Sequence, residues 1–356
     1  MQNEKNSSQR KRDIVNNLIL ILSVLLFIVF SEVIFRSTAS KNEFLKEKDL
    51  EESLSLWNNW LYNGNMQLNK YTYQKEPEIF RIAALGDSFT YGYGTDHGTI
   101  IHNKTQDFSF PKKLEELLNS NFQGSKFEVL NFGIPSTNTL DQVYVLKHFI
   151  LNYTPDVLIL AISSNDYNSA ALSELDPFIY CGLNLSFSEK AAHFLFNNLK
   201  LFRYIYTSLH DCKGCHPAFF IGEGQSVSLR CFVKSLNTIK QLSEQNGIVL
   251  SPIYILDIYY NSTINNQDSI NSYIDWTFFN AEFSPTLKSA GFDSLLFTFN
   301  DLLNISGSEL FADDSSHYSI KGNELIAKSV FNYMLENKLI PACQKQDCAA
   351  KLLKIE

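Results

Sequence analysis

The chain predicts an α/β fold on a mostly parallel, doubly wound sheet, and three observations predict it. From residue 79 onward, short apolar runs alternate with segments of helical periodicity, the rhythm of successive βαβ units. One run, Asp156 to Ile162, is apolar almost throughout, as a strand covered on both faces must be. The runs end in loops, Gly86-Asp87-Ser88, Phe132-Gly133-Ile134-Pro135-Ser136-Thr137 and Ser163-Ser164-Asn165-Asp166. Parallel strands deliver such loops to one shared edge, where open α/β sheets bind ligands.

Taken in order, the chain opens with a basic arm, residues 1–13, containing Lys5, Arg10, Lys11 and Arg12. An apolar stretch of 22 residues, Ile14 to Phe35, follows; about 20 suffice to cross a bilayer as a helix. We read 14–36 as a transmembrane anchor, with the basic arm in the cytoplasm and the bulk of the chain outside. A cleaved signal peptide is the rival. The uncharged core, Leu18 to Phe30, is only 13 residues long and Ser37-Thr38-Ala39 has small residues suited to cleavage. Glu32 and Arg36, just before that site, argue against cleavage. Both readings export the domain, to the periplasm if the cell is a Gram-negative bacterium. Residues 37–78 form a linker. It is charge-dense from Lys46 to Glu52 and then aromatic, and Trp57, Trp60, Leu61 and Tyr62 form a patch for docking on the domain or on the membrane surface.

The domain spans 79–337. Ile79 to Leu85 reads as the first strand. Phe110 to Leu118 reads as a helix, with Pro111 in its first turn and Leu114, Leu117 and Leu118 on one face. A strand over Phe127 to Asn131 leads through a loop to a helix near Thr139, with Leu140, Val143, Leu146 and Ile150 in amphipathic spacing. After the third strand, Asp156 to Ile162, regular alternation stops over an insertion, 167–227. It resumes with a helix, Ser228 to Gln245, a strand over Ile248 to Leu256 broken by Pro252, and a polar region from Tyr259 to Ser284. A last strand, Leu295 to Phe299, and a final helix, Ile320 to Leu335, precede a tail, 338–356.

Six cysteines, Cys181, Cys212, Cys215, Cys231, Cys343 and Cys348, are an even number suited to disulfides in an oxidising compartment. They allow about 15 pairings; Cys343 and Cys348 are close enough to pair locally. Cys212-Lys213-Gly214-Cys215-His216 matches the haem-attachment signature, and Cys212, Cys215, Cys231 and His216 form a zinc-type donor set. Disulfides suit a cysteine-rich insertion better, so neither cofactor nor metal is expected. The net charge of −8, with no basic stripe beyond the N-terminus, excludes a nucleic-acid partner. The 28 Phe and 17 Tyr read as core.

Three strand ends and one loop before a helix carry the chemistry. Ser88 is a hydroxyl at the sheet edge, a nucleophile if a base reaches it. His317, in Asp313-Asp314-Ser315-Ser316-His317, is the candidate base. Asp314, three residues earlier, would orient the imidazole, with Asp313 its rival. An oxyanion would take the backbone N–H groups of Ser88 and Gly133 and the side-chain amide of Asn165; one such donor contributes about 3 kcal/mol. Asp87 reads as a loop-ordering residue, and Asp96, His97 and His102 as a solvated loop.

These four blocks, Gly86-Asp87-Ser88, Asn131-Phe132-Gly133, Ser164-Asn165-Asp166 and Asp314-Ser315-Ser316-His317, resemble the GDSL/SGNH hydrolase superfamily in kind and order, over about Phe80 to Leu335. The resemblance implies a flavodoxin-like α/β/α sandwich and a site of Ser, Gly, Asn and His with an Asp three before the His. It implies an esterase, lipase, deacetylase or O-acyltransferase activity. Two positions depart from the family pattern: Ser163 stands where Gly is usual, and Phe89 where the family name has Leu. The expected function is a serine esterase that cleaves acyl, foremost O-acetyl, esters, with envelope or surface polysaccharide as the substrate its location points to. The alternatives are an O-acyltransferase using the same triad, a non-catalytic glycan-binding protein of the envelope, and a redox protein built on the cysteine-rich insertion.

Overall fold

The computed structural model describes residues 50–63, 67–93, 105–163, 224–255, 284–292, 307–312 and 317–345, together with parts of 16–34, 166–205, 296–305 and 348–353. Five strands, β1 (Ile79–Gly86), β2 (Lys126–Gly133), β3 (Val157–Ile162), β4 (Val249–Tyr254) and β5 (Leu296–Phe297), form one sheet in the order β2-β1-β3-β4-β5. Every neighbouring pair is parallel. This is the flavodoxin-like order, and its switch point lies between β1 and β3. The expected α/β fold is met.

The described helices are α1 (Leu50–Asn58), α2 (Ser88–Tyr91), α3 (Phe110–Asn121), α4 (Thr139–His148), α5 (Gly224–Gln245), α6 (Ser284–Ser289), α7 (Gly307–Leu310), α8 (Ile320–Glu336) and α9 (Pro341–Lys345). α3 packs on β2 and on α8, and α4 packs on β1. Every residue of β3 is buried, and β1 is buried except at Phe80. That two-sided coverage is why these strands read as continuous apolar runs rather than as alternating ones.

Pro252 does not break its strand. Val249 N–H donates to Asp156 O and Ile255 N–H to Ile162 O, so odd-numbered residues of β4 donate towards β3. The missing N–H of Pro252 therefore faces the β5 side, where pairing begins only at Ile253. A proline is tolerated at a position that owes the ladder no donor.

The chain forms two compact units. One comprises Met1–Glu47 and Leu185–Gly224; the other, Lys48–Asn184 and Gln225–Glu356, holds the whole sheet. The connector from Lys48 onward thus belongs with the sheet. Trp57, Leu61 and Leu68 are almost fully buried in its core. Burying an aliphatic side chain of this size contributes about 1.5–3 kcal/mol, enough to hold a short connector in place. Tyr71 OH then donates to Val129 O in β2, Tyr73 O accepts from the Arg81 guanidinium, and Lys75 donates to Asp156 just before β3.

In the smaller unit, the described residues between Asn16 and Ile34 are helical. Glu32 is buried there and accepts the N–H of Leu201 at 2.8 Å. Among the described residues, no helix is long and apolar enough to cross a membrane. Cys343 pairs with Cys348, the expected local disulfide. Cys231, buried in α5, is also disulfide-bonded; Cys181, Cys212, Cys215 and His216 lie outside the described residues.

Candidate active site

β1 ends at Gly86, and the chain turns at once into α2, a single helical turn that begins at Ser88. Asp87 caps it, its carboxylate accepting the N–H of Phe89 at 3.0 Å. At the other end Gly92, with φ 87°, returns its N–H to Ser88 O and Phe89 O, and Tyr93 N–H bonds Ser88 O at 3.0 Å. The left-handed φ suits glycine there. Ser88 is half-buried, whereas Asp87, Phe89, Thr90 and Tyr91 around it are buried.

The opposite side of the site comes from a turn-back between α7 and α8. Ala312 N–H bonds His317 O at 2.8 Å, Ser319 N–H bonds Leu310 O at 2.8 Å, and Phe311 bridges Tyr318. Ser319 caps α8. The buried Asn323 side chain accepts the N–H of Phe110 at 3.0 Å and donates to the carbonyls of Tyr318 and Ser319. This one amide fastens the His317 loop to the start of α3.

The outcome is a contact of 2.9 Å between His317 Nε2 and Ser88 Oγ, across 229 residues of chain. For the hydroxyl to donate, Nε2 must be the unprotonated ring nitrogen. Two aromatic rings lie near the imidazole, with centroids 5.2 Å away for Phe89 and 4.9 Å for Tyr93. Packing against these aromatics limits its rotation. Phe89, the departure from the family's Leu, is thus a wall of the base.

Gly133 is also brought here, paired with Gly86 across β1 and β2. Its role differs from the expected one. Its N–H, expected to face the oxyanion, donates to Asn131 Oδ1 at 2.9 Å. A Cβ at this position would stand 2.2 Å from Tyr91 N. Glycine is therefore required by the approach of α2 to the end of β2. The Asn131 amide donates in turn to Thr90 O at 2.9 Å and Ser109 Oγ at 3.2 Å, fixing α2 from behind.

Beyond Gly133 the loop is tied down by Ile134 N–H on Gly86 O, at 3.0 Å. Ser136 is its exposed residue and has φ 65°, a conformation that L residues seldom take and that often marks a functional site. Nothing in the amino-acid identity of Ser136 signals this.

Ser163 directly follows the end of β3, and its Oγ stands 3.3 Å from Asp87 Oδ2. Ser163, Asp166, Thr139 and Gln142 form a buried polar group beside Asp87. Asn165, Asp313 and Asp314 lie outside the described residues, as do Asp96, His97 and His102.

With a hydroxyl against an imidazole at the switch point of a parallel sheet, comparison with known proteins is informative. The model of the family described as GDSL-like Lipase/Acylhydrolase matches residues 82–330. The chain belongs to that family of ester hydrolases, and it is a carboxylic ester hydrolase. No curated protein matches it. Solved structures that match the chain include a putative lipolytic protein of the G-D-S-L family from Desulfitobacterium hafniense, at 17% identity and a TM-score of 0.38, covering 70% of this chain and 97% of that one. The esterase EstA from Pseudoalteromonas is 14% identical, with a TM-score of 0.40 and coverages of 73% and 99%. An acetylxylan esterase from Geobacillus stearothermophilus gives 14%, 0.40, 73% and 94%.

Proposed function

We propose that the protein is a serine esterase that acts through an acyl-enzyme on Ser88, tethered to a membrane by its N-terminal helix, with O-acyl esters of an exported polysaccharide as its substrates. The observation that carries the catalytic part is the 2.9 Å approach of Ser88 Oγ to His317 Nε2. His317 takes the hydroxyl proton as Oγ bonds to the ester carbonyl carbon. It returns that proton to the leaving alcohol oxygen as the carbon–oxygen bond breaks. Water then attacks the acyl carbon, giving a proton to His317, and His317 passes that proton to Ser88 Oγ as the bond from Oγ to the acyl carbon breaks and the acid departs. Asp314 is the group we assign to orient the imidazole, and Asn165 a donor to the oxyanion. Because Gly133 is committed to Asn131, Ser136 is the loop residue we assign as backbone donor in its place, beside the N–H of Ser88.

The tether is supported by an uncharged core, Leu18 to Phe30, behind a basic arm, and by helical residues that expose apolar side chains all round. Leu20, Leu26, Phe27 and Phe30 are each more than 60% exposed. A helix apolar on every face belongs in lipid. The polysaccharide ester is supported by that location alone.

A fluorophosphonate probe tests the catalytic reading. The full-length protein in detergent should be labelled at Ser88 and should hydrolyse p-nitrophenyl acetate; Ser88→Ala should do neither. Labelling that persists in Ser88→Ala would place the nucleophile elsewhere. Transfer of acetyl to an added oligosaccharide in preference to water would make the enzyme an O-acyltransferase instead.

A further inference from the structure

Beneath the nucleophile, one hydroxyl lies between two buried acids. Ser163 Oγ is 3.3 Å from Asp87 Oδ2 and 3.4 Å from Asp166 Oδ2. Ser163 and Asp87 are 2% and 3% exposed, and Asp166 is wholly buried. The acids serve different parts of the site. Asp87 caps the turn that presents Ser88. Asp166 closes the turn after β3: its N–H bonds Ser163 O at 3.2 Å, and its Oδ2 accepts Ser163 N–H at 2.9 Å. The same carboxylate is held from α4 through Oδ1, by Thr139 Oγ1 and Gln142 Nε2, both at 3.2 Å.

A hydroxyl has one proton to donate. Asp166 Oδ2 already holds the N–H of Ser163, so the proton is better spent on Asp87 Oδ2. The bridge then runs from α4 through Asp166 and Ser163 to Asp87 and the first turn of α2. A glycine at this position would have no side chain to make it.

We propose that Ser163 is a positioning residue: its hydroxyl ties the cap of the turn bearing Ser88 to the end of β3 and, through Asp166, to α4, and so sets the spacing between the nucleophile and the rest of the sheet edge. The inference rests on the acyl-enzyme reading above. Acyl transfer is sensitive to such spacing, since a displacement of about 1 Å costs on the order of a hundredfold in rate. Ground-state binding of the ester makes no call on the bridge, so the effect falls on kcat rather than on KM.

The test uses full-length protein in detergent, with p-nitrophenyl acetate turnover and the second-order rate of fluorophosphonate labelling as readouts. Ser163→Ala should lower kcat about 10- to 100-fold, leave KM within about twofold, and slow labelling by a similar factor. Ser163→Thr, which keeps the hydroxyl, should recover most of the loss. Asp87→Asn combined with Ser163→Ala should cost less than the product of the two separate losses, because both cut one bridge. Near-ultraviolet circular dichroism measures the folded fraction, and rates are taken per folded molecule.

Three results would overturn the proposal: Ser163→Ala within twofold of the parent, a loss of equal size in Ser163→Thr, or independent effects in the double variant. If Ser88→Ala retains labelling, the acyl-enzyme reading itself fails. If Ser88→Ala is silent and Ser163→Ala is unchanged, only the positioning role fails.

Discussion

The two ends of β1 hold two buried polar networks of opposite character. At the amino end, the guanidinium of Arg81 is fully buried. It donates to Glu128 through Nε at 2.8 Å, with a second nitrogen 2.7 Å from the same oxygen, and to the carbonyls of Tyr153 and Tyr73 at 2.7 and 3.2 Å. Its backbone N–H donates to Asp156, which pairs with Lys75 at 2.5 Å. Each carboxylate meets a cation, Glu128 with Arg81 and Asp156 with Lys75, and carbonyls take the remaining guanidinium donors. At the carboxyl end, Asp87 and Asp166 take hydrogen bonds from N–H and O–H groups, and the hydroxyl they help to place faces an imidazole. The difference teaches how one strand divides its work. A charge-matched network spends its donors on holding elements together. A network that places a hydroxyl against a base leaves a proton that can move.

The comparison is broken most severely at the reactive end. Ser88→Ala should lower turnover by about 10⁴-fold or more while changing the melting temperature by no more than a few degrees, as a half-buried site that loses one oxygen should. A steady-state assay paired with thermal unfolding checks both. The charge-matched end should behave in the reverse way. Arg81→Met leaves the half-buried Glu128 beside an apolar chain, and since breaking a fully buried pair costs about 3–5 kcal/mol, the loss should approach the lower end of that range. Urea unfolding should show that loss, while kcat per folded molecule stays near the parent value. Arg81→Lys should not restore stability, because one ammonium cannot reproduce the fork of donors. A large kcat defect in folded Arg81→Met would show that the two ends are coupled.

A smaller effect sharpens the picture of a charge-matched network. Burial by itself would raise the Glu115 carboxyl, but hydrogen bonds from Lys112 and Tyr71 and the charges of Lys70 and Lys112 outweigh it and hold the group below its ordinary value. A carboxylate depressed on folding contributes stability above its unfolded pKa, about 4.3. That contribution is lost as pH falls through the folded value. The acid limb of the stability curve should therefore be shallower in Glu115→Gln than in the parent, with turnover at neutral pH unchanged. An identical acid limb in the two proteins would show that Glu115 does not carry it.

Much of the site was legible because chemistry and strand ends coincide. Ser88 and His317 were visible as a hydroxyl after one apolar run and an imidazole before the last helix, and they meet. Gly133 was visible as a residue of the site but not in its role. Its N–H is claimed by Asn131, two residues away in the same strand, and a side-chain hydrogen bond of that kind has no signature in spacing. Trp57 and Leu61 looked equally suited to lipid and to the domain, because both are apolar; burial in the core decided it. Ser163 looked like a mere departure from a glycine until its hydroxyl was seen between two acids.

The amino-acid sequence by itself determined the βαβ rhythm, five parallel strands, a hydroxyl at the end of one and an imidazole ahead of the final helix, because burial on two faces writes itself into apolar runs. Tertiary structure alone decided the order β2-β1-β3-β4-β5, the partner of each N–H at the sheet edge, and the hydroxyl shared by Asp87 and Asp166. Those depend on which strands become neighbours, and a hydrogen bond between groups remote in the chain exists only once folding has brought donor and acceptor within about 3 Å.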